Sequence, residues 1–329
     1  MTPEEFAAIA ERIRAEVRKV IVGHDVLIDH VVIALLADGH VLLEGVPGLG
    51  KTLLVKTLAQ SLDLRYSRIQ FTPDLMPADI IGTNVVMQDA SGRRFFEFQR
   101  GPVFTQVLLA DEINRATPKT QSALLEAMQE HMVTAAGFSY TLEEPFFVLA
   151  TQNPIEMEGT YPLPEAQLDR FLFKLTVDVP DLGELVEIIE RTTGADLPQV
   201  SIVAAQTDVL QMRRLAREVE VASHVKAYAA RLVQATHPDP PAAPALVRRV
   251  VRYGSSPRGA QGMVLAAKVR ALIAGRANVS FADVNALALP VLRHRIILNF
   301  EGEAEGVQTD AIIAAVLDET PELETAHTS

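Results

Sequence analysis

The sequence has no cysteine among its 329 residues. Disulfides, thiolate zinc sites, iron–sulfur clusters and cysteine nucleophiles are therefore all excluded. The sequence also lacks any run of about 18 consecutive apolar residues, so we expect no membrane-spanning segment. Residues 1–17 are mixed and charged, without the apolar stretch of a signal peptide. These absences are typical of a cytoplasmic protein, and we expect a cytoplasmic location.

Basic residues are fewer than acidic ones, at 30 against 42, which gives a formal net charge of −12. An overall basic surface for duplex DNA is therefore not expected, and we do not expect nucleic acid as a partner. A local basic groove would still be compatible with this net charge. With 48% apolar and 22% charged residues, the composition is that of a globular protein rather than a disordered one.

The length and the order of the patterns predict two domains. A single core rarely grows beyond roughly 250–300 residues, so we expect two cores. Short apolar runs alternate with helical segments over residues 1–180, which predicts an α/β fold: a mainly parallel five-stranded sheet between helical layers. Only helical patterns follow, which predicts a small all-helical domain over residues 190–320. We expect the acidic tail, residues 321–329, to be disordered.

The predicted elements follow from local periodicity. A capping box at Thr2 opens an amphipathic helix that ends near Gly23. Two further segments, about 82–98 and 132–147, are predicted β-hairpins. In the first, Phe95, Phe96 and Phe98 are expected to form a hairpin core, the alternative being a platform on which bases stack. The predicted strands are Val41–Leu43, Tyr66–Phe71, Val107–Ala110, Phe146–Ala150 and Phe173–Val179. The predicted later helices are Leu182–Thr193, Thr207–Val219, Ser223–Thr236, Gly259–Ala277 and Phe281–Arg295.

A glycine-rich loop lies between the first predicted strand and the next helix. It reads Gly45-Val46-Pro47-Gly48-Leu49-Gly50-Lys51-Thr52, which matches G-x-x-x-x-G-K-[ST]. Small residues let backbone N–H groups turn toward phosphate, and the helix N-terminus adds positive partial charge. Lys51 would neutralise the β- and γ-phosphates, and the Thr52 hydroxyl would ligate Mg²⁺. The loop therefore predicts a nucleoside triphosphate site.

A second motif, Val107–Glu112, is an apolar strand that ends in two carboxylates. Asp111 would hold the metal ion through water, and Glu112 would orient and polarise the attacking water. No N-K-x-D motif for guanine follows the phosphate loop, so we expect ATP rather than GTP.

Five segments together resemble the MoxR family of AAA+ ATPases, in order and over roughly residues 5–320. They are the phosphate loop, LLADEINRA (108–116), ATQNPIEMEGTYPLPEAQLDRF (150–171), YGSSPRG (253–259) and VLRHRI (291–296). The resemblance implies an αβα P-loop core with a helical lid. It also implies Mg²⁺-dependent ATP hydrolysis. Small departures from the family pattern occur at Gly50, His24 and Met157.

The resemblance also implies roles for further residues. Asn153 stands at the sensor 1 position and would hold the hydrolytic water; its alternative role is to cap a turn. Arg170 stands at the arginine-finger position and would act on the nucleotide of a neighbouring subunit; its alternative is an ion pair with Asp169 or Glu165. Arg258 stands at the sensor 2 position and would bring the lid onto the γ-phosphate; its alternative is a surface arginine. Val22 and Gly23 would lie against the adenine.

The family typically forms hexameric rings that remodel a client protein. It often acts with von Willebrand factor A-domain partners in the assembly, maturation or metal insertion of a complex. The hairpins would line a channel or face the client. Two alternatives stay open: a DNA-handling AAA+ ATPase of helicase or loader type, and a P-loop small-molecule kinase. His294, which lies between two arginines, is expected on a helix surface or in the lid rather than at a metal.

Overall fold

The structure is a computed structural model, which describes residues 1–135, 137–153, 159–194, 198–240 and 243–323. Met157 and most of the tail predicted to be disordered therefore lie outside the described residues. In chain order the elements are α1 (Pro3–Val20), α2 (Asp25–Leu36), β1 (Val41–Glu44), α3 (Lys51–Ser61), β2 (Tyr66–Gln70), α4 (Pro77–Ile81), β3 (Gly82–Gln88), β4 (Arg94–Arg100), β5 (Val107–Asp111), α5 (Pro118–Glu130), β6 (Met132–Ala135), β7 (Phe138–Thr141), β8 (Phe147–Gln152), α6 (Glu165–Leu168), β9 (Phe173–Thr176), α7 (Leu182–Thr193), α8 (Gln206–Glu218), α9 (Ser223–Ala235), α10 (Ala245–Val250), β10 (Val251–Tyr253), α11 (Pro257–Ile273), α12 (Phe281–Leu292), β11 (Ile297–Leu298), α13 (Phe300–Ala304) and α14 (Thr309–Glu319).

The centre of the molecule is a parallel sheet with the strand order β2-β5-β8-β1-β9. The predicted α/β fold class is confirmed. Strands β5 and β8 are buried on both faces because helices cover both sides of the sheet.

Alternate strand residues belong to two different hydrophobic cores. Val41 and Leu43 of β1 pack into the core that contains α1, α2, α3 and the later helices. Leu42, one residue between them, packs into the opposite core with α4 and α5. The side-chain period of two in a strand explains this division. The two expected cores are therefore separated by the sheet rather than by the domain boundary.

The later helices pack onto the first of these cores. Helix α11 contacts α1, α2, α8, α9 and α12, and α12 also contacts β9. The helical domain carries a short antiparallel ladder of β10 and β11, which the sequence analysis did not predict. In the part of the chain that the structure describes, no helix is long and apolar enough to cross a membrane.

Both predicted hairpin segments contain antiparallel strand pairs, but their bounds and packing differ from the prediction. The first extends to Arg100. The second ends at Thr141, because Phe147 begins the core strand β8. Phe95 and Phe96 are exposed, so the prediction of a hairpin core is wrong for both.

Phe98 instead stacks on Tyr140 of the second hairpin, with ring centroids 4.4 Å apart. The two hairpins therefore meet each other at this stacked pair. At the base of the first hairpin, Gly82 has φ +107°, and an added Cβ would lie 2.2 Å from the Gln99 carbonyl oxygen. Only glycine fits this position, because both the backbone angle and the close approach exclude a side chain.

Candidate active site

The carboxyl ends of the central strands meet at one edge of the sheet. Gln70 pairs with Asp111 in register, and Glu44 pairs with Gln152. The residues that follow these strands surround a cavity of about 360 Å³. Its lining residues are Pro47, Gly48, Gly50, Lys51, Thr52, Leu53, Arg68, Gln70, Asp111, Glu112, Thr151 and Asn153. The structure therefore brings most of the predicted phosphate-site residues together.

The phosphate loop needs glycine for its backbone shape. Gly48 and Gly50 have φ of +87° and +74°, and a Cβ at either position would meet open space. The left-handed conformation, rather than crowding, is therefore what favours glycine at both positions. Helix α3 begins directly after Gly50, so its first N–H groups lie at the loop.

Lys51 lies folded onto this loop. Its ammonium group donates to the carbonyls of Gly45 and Val46, the latter at 3.2 Å. Partial burial lowers the pKa of Lys51, while the charges of Asp111 and Glu112 oppose this shift. A cationic group beside two carboxylates suits the binding of a charged phosphate chain.

Asp111 is held by two neighbours. The Thr151 hydroxyl donates to Asp111 Oδ1 at 2.6 Å, and the Arg68 guanidinium lies 2.6 Å from Asp111 Oδ2. The Thr52 hydroxyl and the Asp111 carboxylate are hard oxygen donors of the kind that Mg²⁺ prefers. Among the described residues, no group of three or more His, Asp or Glu side chains could hold a metal ion alone. The donor set therefore fits a cation whose other ligands are phosphate and water.

Glu112 adopts a left-handed backbone conformation, with φ +55°. Its carboxylate Oε2 accepts from Gln70 at 2.8 Å and from Arg115 at 3.0 Å. Its N–H donates to the Thr151 hydroxyl at 2.8 Å. Left-handed non-glycine residues are uncommon and cluster at functional sites. Here the turn directs the carboxylate of Glu112 into the cavity.

Asn153 is buried and lines the same cavity, where β8 ends. Three other residues of this cavity, Arg68, Gln70 and Thr151, were missed by the sequence analysis. Each stands at or near the carboxyl end of a parallel strand, where ligands of open α/β sheets bind. That position was the available signal, but using it requires the strand order.

Gly23 lines a second cavity of about 420 Å³, and Val22, the residue before it, is buried. Val177 lies between the lining residues Thr176 and Asp178 and approaches the phosphate loop, since a Cβ on Gly45 would lie 3.0 Å from its carbonyl oxygen. Burial lowers the pKa of His30, another lining residue, to about 4, so this imidazole is neutral at pH 7. The other lining residues are His24, Asp25, Val26, Leu27, Leu175, Thr176, Asp178, Val179, Glu184, Leu289, Pro290 and Arg293.

Arg170 and Arg258 line a third cavity, of about 220 Å³. Gly39, which precedes β1, and Leu172, which precedes β9, lie in its wall. This cavity is therefore at the amino edge of the sheet, opposite the phosphate loop. Arg170 donates to the Leu125 carbonyl at 2.7 Å.

Asp169, the anticipated ion-pair partner of Arg170, is instead engaged by groups of the lid. It accepts hydrogen bonds from Ser256 and Arg295. Arg258 Nη1 lies 3.9 Å from Asp169 Oδ2. Arg258 is therefore not among the residues around the phosphate cavity of its own chain. The physical reason is that α11 docks on α1 and α2, which carries Arg258 to the amino edge.

The VLRHRI segment (291–296) attaches the lid to the amino edge of the sheet. Arg295 is buried, lies 2.8 Å from Asp169 Oδ1 and donates to the Phe171 carbonyl at 2.7 Å. Burial lowers the pKa of Arg295 to about 10, and Asp169 opposes that shift. His294 is also buried, with Nε2 3.0 Å from the Phe171 carbonyl oxygen. Of the two positions expected for His294, a helix surface or the lid, it occupies the lid, and it is buried there.

Comparisons with known proteins agree with this arrangement. The chain matches the ATPase family associated with various cellular activities (AAA) over residues 40–173 and the AAA lid domain over residues 243–316. It is similar to Chaperone MoxR1 of Mycobacterium tuberculosis, with 46% identity over 307 residues, 93% of this chain and 80% of that protein. It is also similar to Protein MoxR of Methylorubrum extorquens, with 32% identity over 95% of this chain and 94% of that protein.

One solved structure, of a protein from Cytophaga hutchinsonii assigned as an ATPase, has the same architecture throughout. Its TM-score is 0.91 at 42% sequence identity, and the match covers 98% of this chain and 97% of that one. Such a match extends over the core and the lid together. The chain therefore belongs to the MoxR family of AAA+ ATPases, as its motifs predict.

Proposed function

We propose that this chain hydrolyses ATP with Mg²⁺ at the carboxyl-edge cavity and completes that site with arginines from a neighbouring copy. The proposal rests on the observation that two groups of residues predicted to act in hydrolysis lie at opposite edges of the sheet. Lys51, Asp111 and Glu112 line one edge of the sheet, while Arg170 and Arg258 line the other.

The residues of one chain would bind the phosphates and Mg²⁺ and position the attacking water. Lys51 and the loop N–H groups bind the β- and γ-phosphates, which the start of α3 also favours. Thr52 and Asp111 would hold Mg²⁺, and the bound ion neutralises phosphate charge. Glu112 accepts a hydrogen bond from water and aligns it for in-line attack, while Asn153 holds that water in place.

The adenine would occupy the cavity beside Gly23. Val177, between two residues that line this cavity, approaches the phosphate loop, and the neutral His30 and apolar Leu27 and Leu289 of the cavity suit an uncharged aromatic ring. Val22, which is buried directly before Gly23, supports the wall of that cavity.

The second half of the site would come from another copy. Arg170 would stabilise the charge of the transferring phosphoryl group, a task for which a permanently charged, planar guanidinium is suited. Arg258, which lines the same amino-edge cavity, would assist it. Contacts of this kind are head-to-tail, and they form a ring when the rotation closes. The family resemblance favours six subunits.

The work driven by hydrolysis would be chaperone-like remodelling of a client protein in the cytoplasm. One similar protein is named a chaperone. Val86, Phe96 and Phe138 expose apolar surface on the two hairpins, which suits contact with a polypeptide. We further propose a von Willebrand factor A-domain partner, with assembly or metal insertion of a client complex as the outcome. Nucleic acid is not part of the proposal, so added DNA should leave the ATPase rate unchanged.

The experiment that tests the proposal measures the ATPase rate per subunit against protein concentration, together with mass with and without ATP. The wild-type rate should rise cooperatively with formation of a ring-sized species. Arg170→Ala should lose at least about 100-fold in rate while monomer nucleotide binding survives. Arg12→Ala, at an exposed position of α1, is the control and should match the wild type. A flat specific activity down to monomer concentrations, with Arg170→Ala unaffected, would overturn the proposal.

A further inference from the structure

Helix α7 is amphipathic, but its apolar side is exposed. Leu182, Leu185, Val186 and Ile189 are between 42% and 80% exposed. Their spacing of i, i+3, i+4 and i+7 puts them on one stripe of the helix. Within the described part of the chain, α7 contributes no buried side chain. We refer to these four residues as the α7 stripe.

Polar contacts nevertheless hold α7 against the nucleotide edge of the core. Asp181 and Glu184 form a capping box at its start. Glu184 also lines the cavity beside Gly23. Near its end, Arg191 donates to the carbonyls of Arg18 and Lys19 at 2.7 and 2.8 Å, where α1 ends. The helix is therefore positioned by its polar side, and the α7 stripe is left facing away from these contacts.

The charge around the α7 stripe is acidic. Glu184, Glu187 and Glu190 lie on the helix itself, and Asp178 and Asp181 precede it. Glu187 pairs with Arg191 of the same helix, which leaves the balance negative.

The opposite edge of the molecule is basic. Arg170 and Arg258 line the amino-edge cavity. Asp38 lies in the wall of this cavity, and Arg217 Nη2 is 3.8 Å from Asp38 Oδ2. Two acidic groups in the wall of this cavity are already paired, since Asp38 contacts Arg213 and Asp169 contacts Arg295. The two edges are therefore complementary in charge, as a head-to-tail contact between copies requires.

We propose that the α7 stripe is a contact surface for a second copy of this chain, covered when the amino edge of that copy closes over the nucleotide cavity. The inference rests on the proposed action of Arg170 on a neighbouring nucleotide. If Arg170 of one copy reaches the phosphates of the next, then the surface beside that nucleotide is covered, and α7 lies on that surface. Burial of the stripe would then supply the apolar part of the contact.

The absence of native cysteine permits a direct test. Ile189→Cys carries a single thiol, and its rate of labelling by a maleimide is measured against protein concentration and mass. Labelling should slow at least tenfold as copies associate. Phe300→Cys, at an apolar position that is 87% exposed on α13, is the control and should label at a constant rate. Equal labelling of Ile189→Cys in monomer and assembly would overturn the inference. Protection already present in the monomer would overturn it too, because the chain's own residues would then cover the stripe.

A second variant tests whether the α7 stripe is needed for assembly. Leu185→Glu combined with Ile189→Glu should raise the concentration needed for assembly at least tenfold. Monomer binding of a fluorescent ATP analogue should be unchanged, which shows that the variant is folded. Phe300→Glu should assemble like the wild type. A double variant that assembles at the wild-type concentration would contradict the inference.

Failure of this inference and failure of the proposed function are distinguishable. If Arg170→Ala abolishes turnover but Ile189→Cys stays fully labelled in the assembly, the inference fails and the proposed function stands. If Ile189→Cys is protected but Arg170→Ala remains active, the contact surface stands and the action of Arg170 in trans fails. A chain that stays monomeric under all conditions contradicts both.

Discussion

Glu112 combines a left-handed backbone with a carboxylate that is held by Gln70 and Arg115. These contacts hold the carboxylate in the cavity that the phosphate loop lines, while the neighbouring Asp111 is itself held by Arg68 and Thr151. The two adjacent carboxylates thus have different partners and can serve different purposes. Asp111 suits the metal ion, and Glu112 suits the water.

The first prediction concerns Glu112→Gln. The amide keeps the size and the hydrogen bonds of the side chain but cannot act as a base, so turnover should fall about 100- to 10,000-fold. Binding of a fluorescent ATP analogue should stay within a factor of about three. Steady-state ATPase assays and titrations of the same preparation check both expectations. Wild-type turnover in this variant would mean that another group activates the water.

His40 provides a second prediction, for stability. It is fully enclosed, accepts from the Val148 N–H at Nδ1 and lies 3.0 Å from the Met128 carbonyl oxygen at Nε2. These two contacts require the neutral tautomer with the proton on Nε2. Burial lowers the pKa of His40 to about 4 from its ordinary value of 6.5. Below pH 6.5 the unfolded chain therefore binds a proton that the folded chain does not, and stability falls as the pH falls toward 4.

His40→Gln removes this titration, while its amide can still donate to Met128 and accept from Val148. Between pH 7 and pH 5, the wild type should lose about 2 kcal/mol more unfolding free energy than the variant. His131, whose pKa is raised by Glu144, acts in the opposite direction, but it is present in both chains. Urea unfolding at the two pH values measures the difference. Identical pH dependence of the two proteins would contradict the account of His40.

Site residues could be predicted where the motif that contains them is contiguous in the sequence. The phosphate loop and the Asp111-Glu112 pair carry their own signature, because strand, loop and helix follow one another directly. Arg68 was not predictable in this way. Its contact with Asp111 depends on the pairing of β2 with β5, and that register appears only in the folded sheet.

At the scale of elements, the buried side chain of Arg295 joins the lid to the core. Arg295 satisfies the Asp169 carboxylate and the carbonyls of Asp169 and Phe171 at once. Its planar guanidinium can serve several acceptors in fixed directions. The segment that carries Arg170 is therefore held in position by the lid.

Arg295→Met should lower the free energy of unfolding by about 3 kcal/mol, because the acceptors around Asp169 lose their donor in a buried setting. The matched control is Arg249→Met, which removes an exposed arginine that pairs with Glu301 and Glu305. It should change stability little, since water replaces those contacts. Chemical unfolding curves of both variants check the expectation. Equal losses of unfolding free energy in the two variants would contradict the proposed role of buried Arg295 in joining the lid to the core.

The sequence pattern identified strands that are short apolar runs and helices that have one apolar face. All five sheet strands and helix α7 were located within a few residues for this reason. Helix α2 was missed because it is apolar on nearly all sides, buried among α1, α8, α11 and β9, and so has no periodic contrast. The ladder of β10 and β11 was missed because strands of two and three residues carry no periodic signal.

At the scale of the whole molecule, the docking of the lid decides at which edge of the sheet Arg258 lies. Helix α11 packs on α1 and α2, so Arg258 lies at the amino edge with Arg170. No motif in the sequence reports this arrangement, because it results from packing between segments that are more than 200 residues apart. It leaves each copy with the phosphate cavity at one edge and with Arg170 and Arg258 at the other, and the proposed function has these arginines act on another copy.

The measurement that tests this central claim most directly mixes two inactive variants. Lys51→Ala lacks the phosphate-binding lysine but keeps Arg170, and Arg170→Ala has the opposite defect. In random head-to-tail assemblies, about a quarter of the interfaces in an equal mixture join an intact cavity to an intact arginine. The account predicts that the mixture regains about a quarter of the wild-type ATPase rate per subunit. A mixture that assembles, by mass, but hydrolyses ATP no faster than the two variants separately would contradict it.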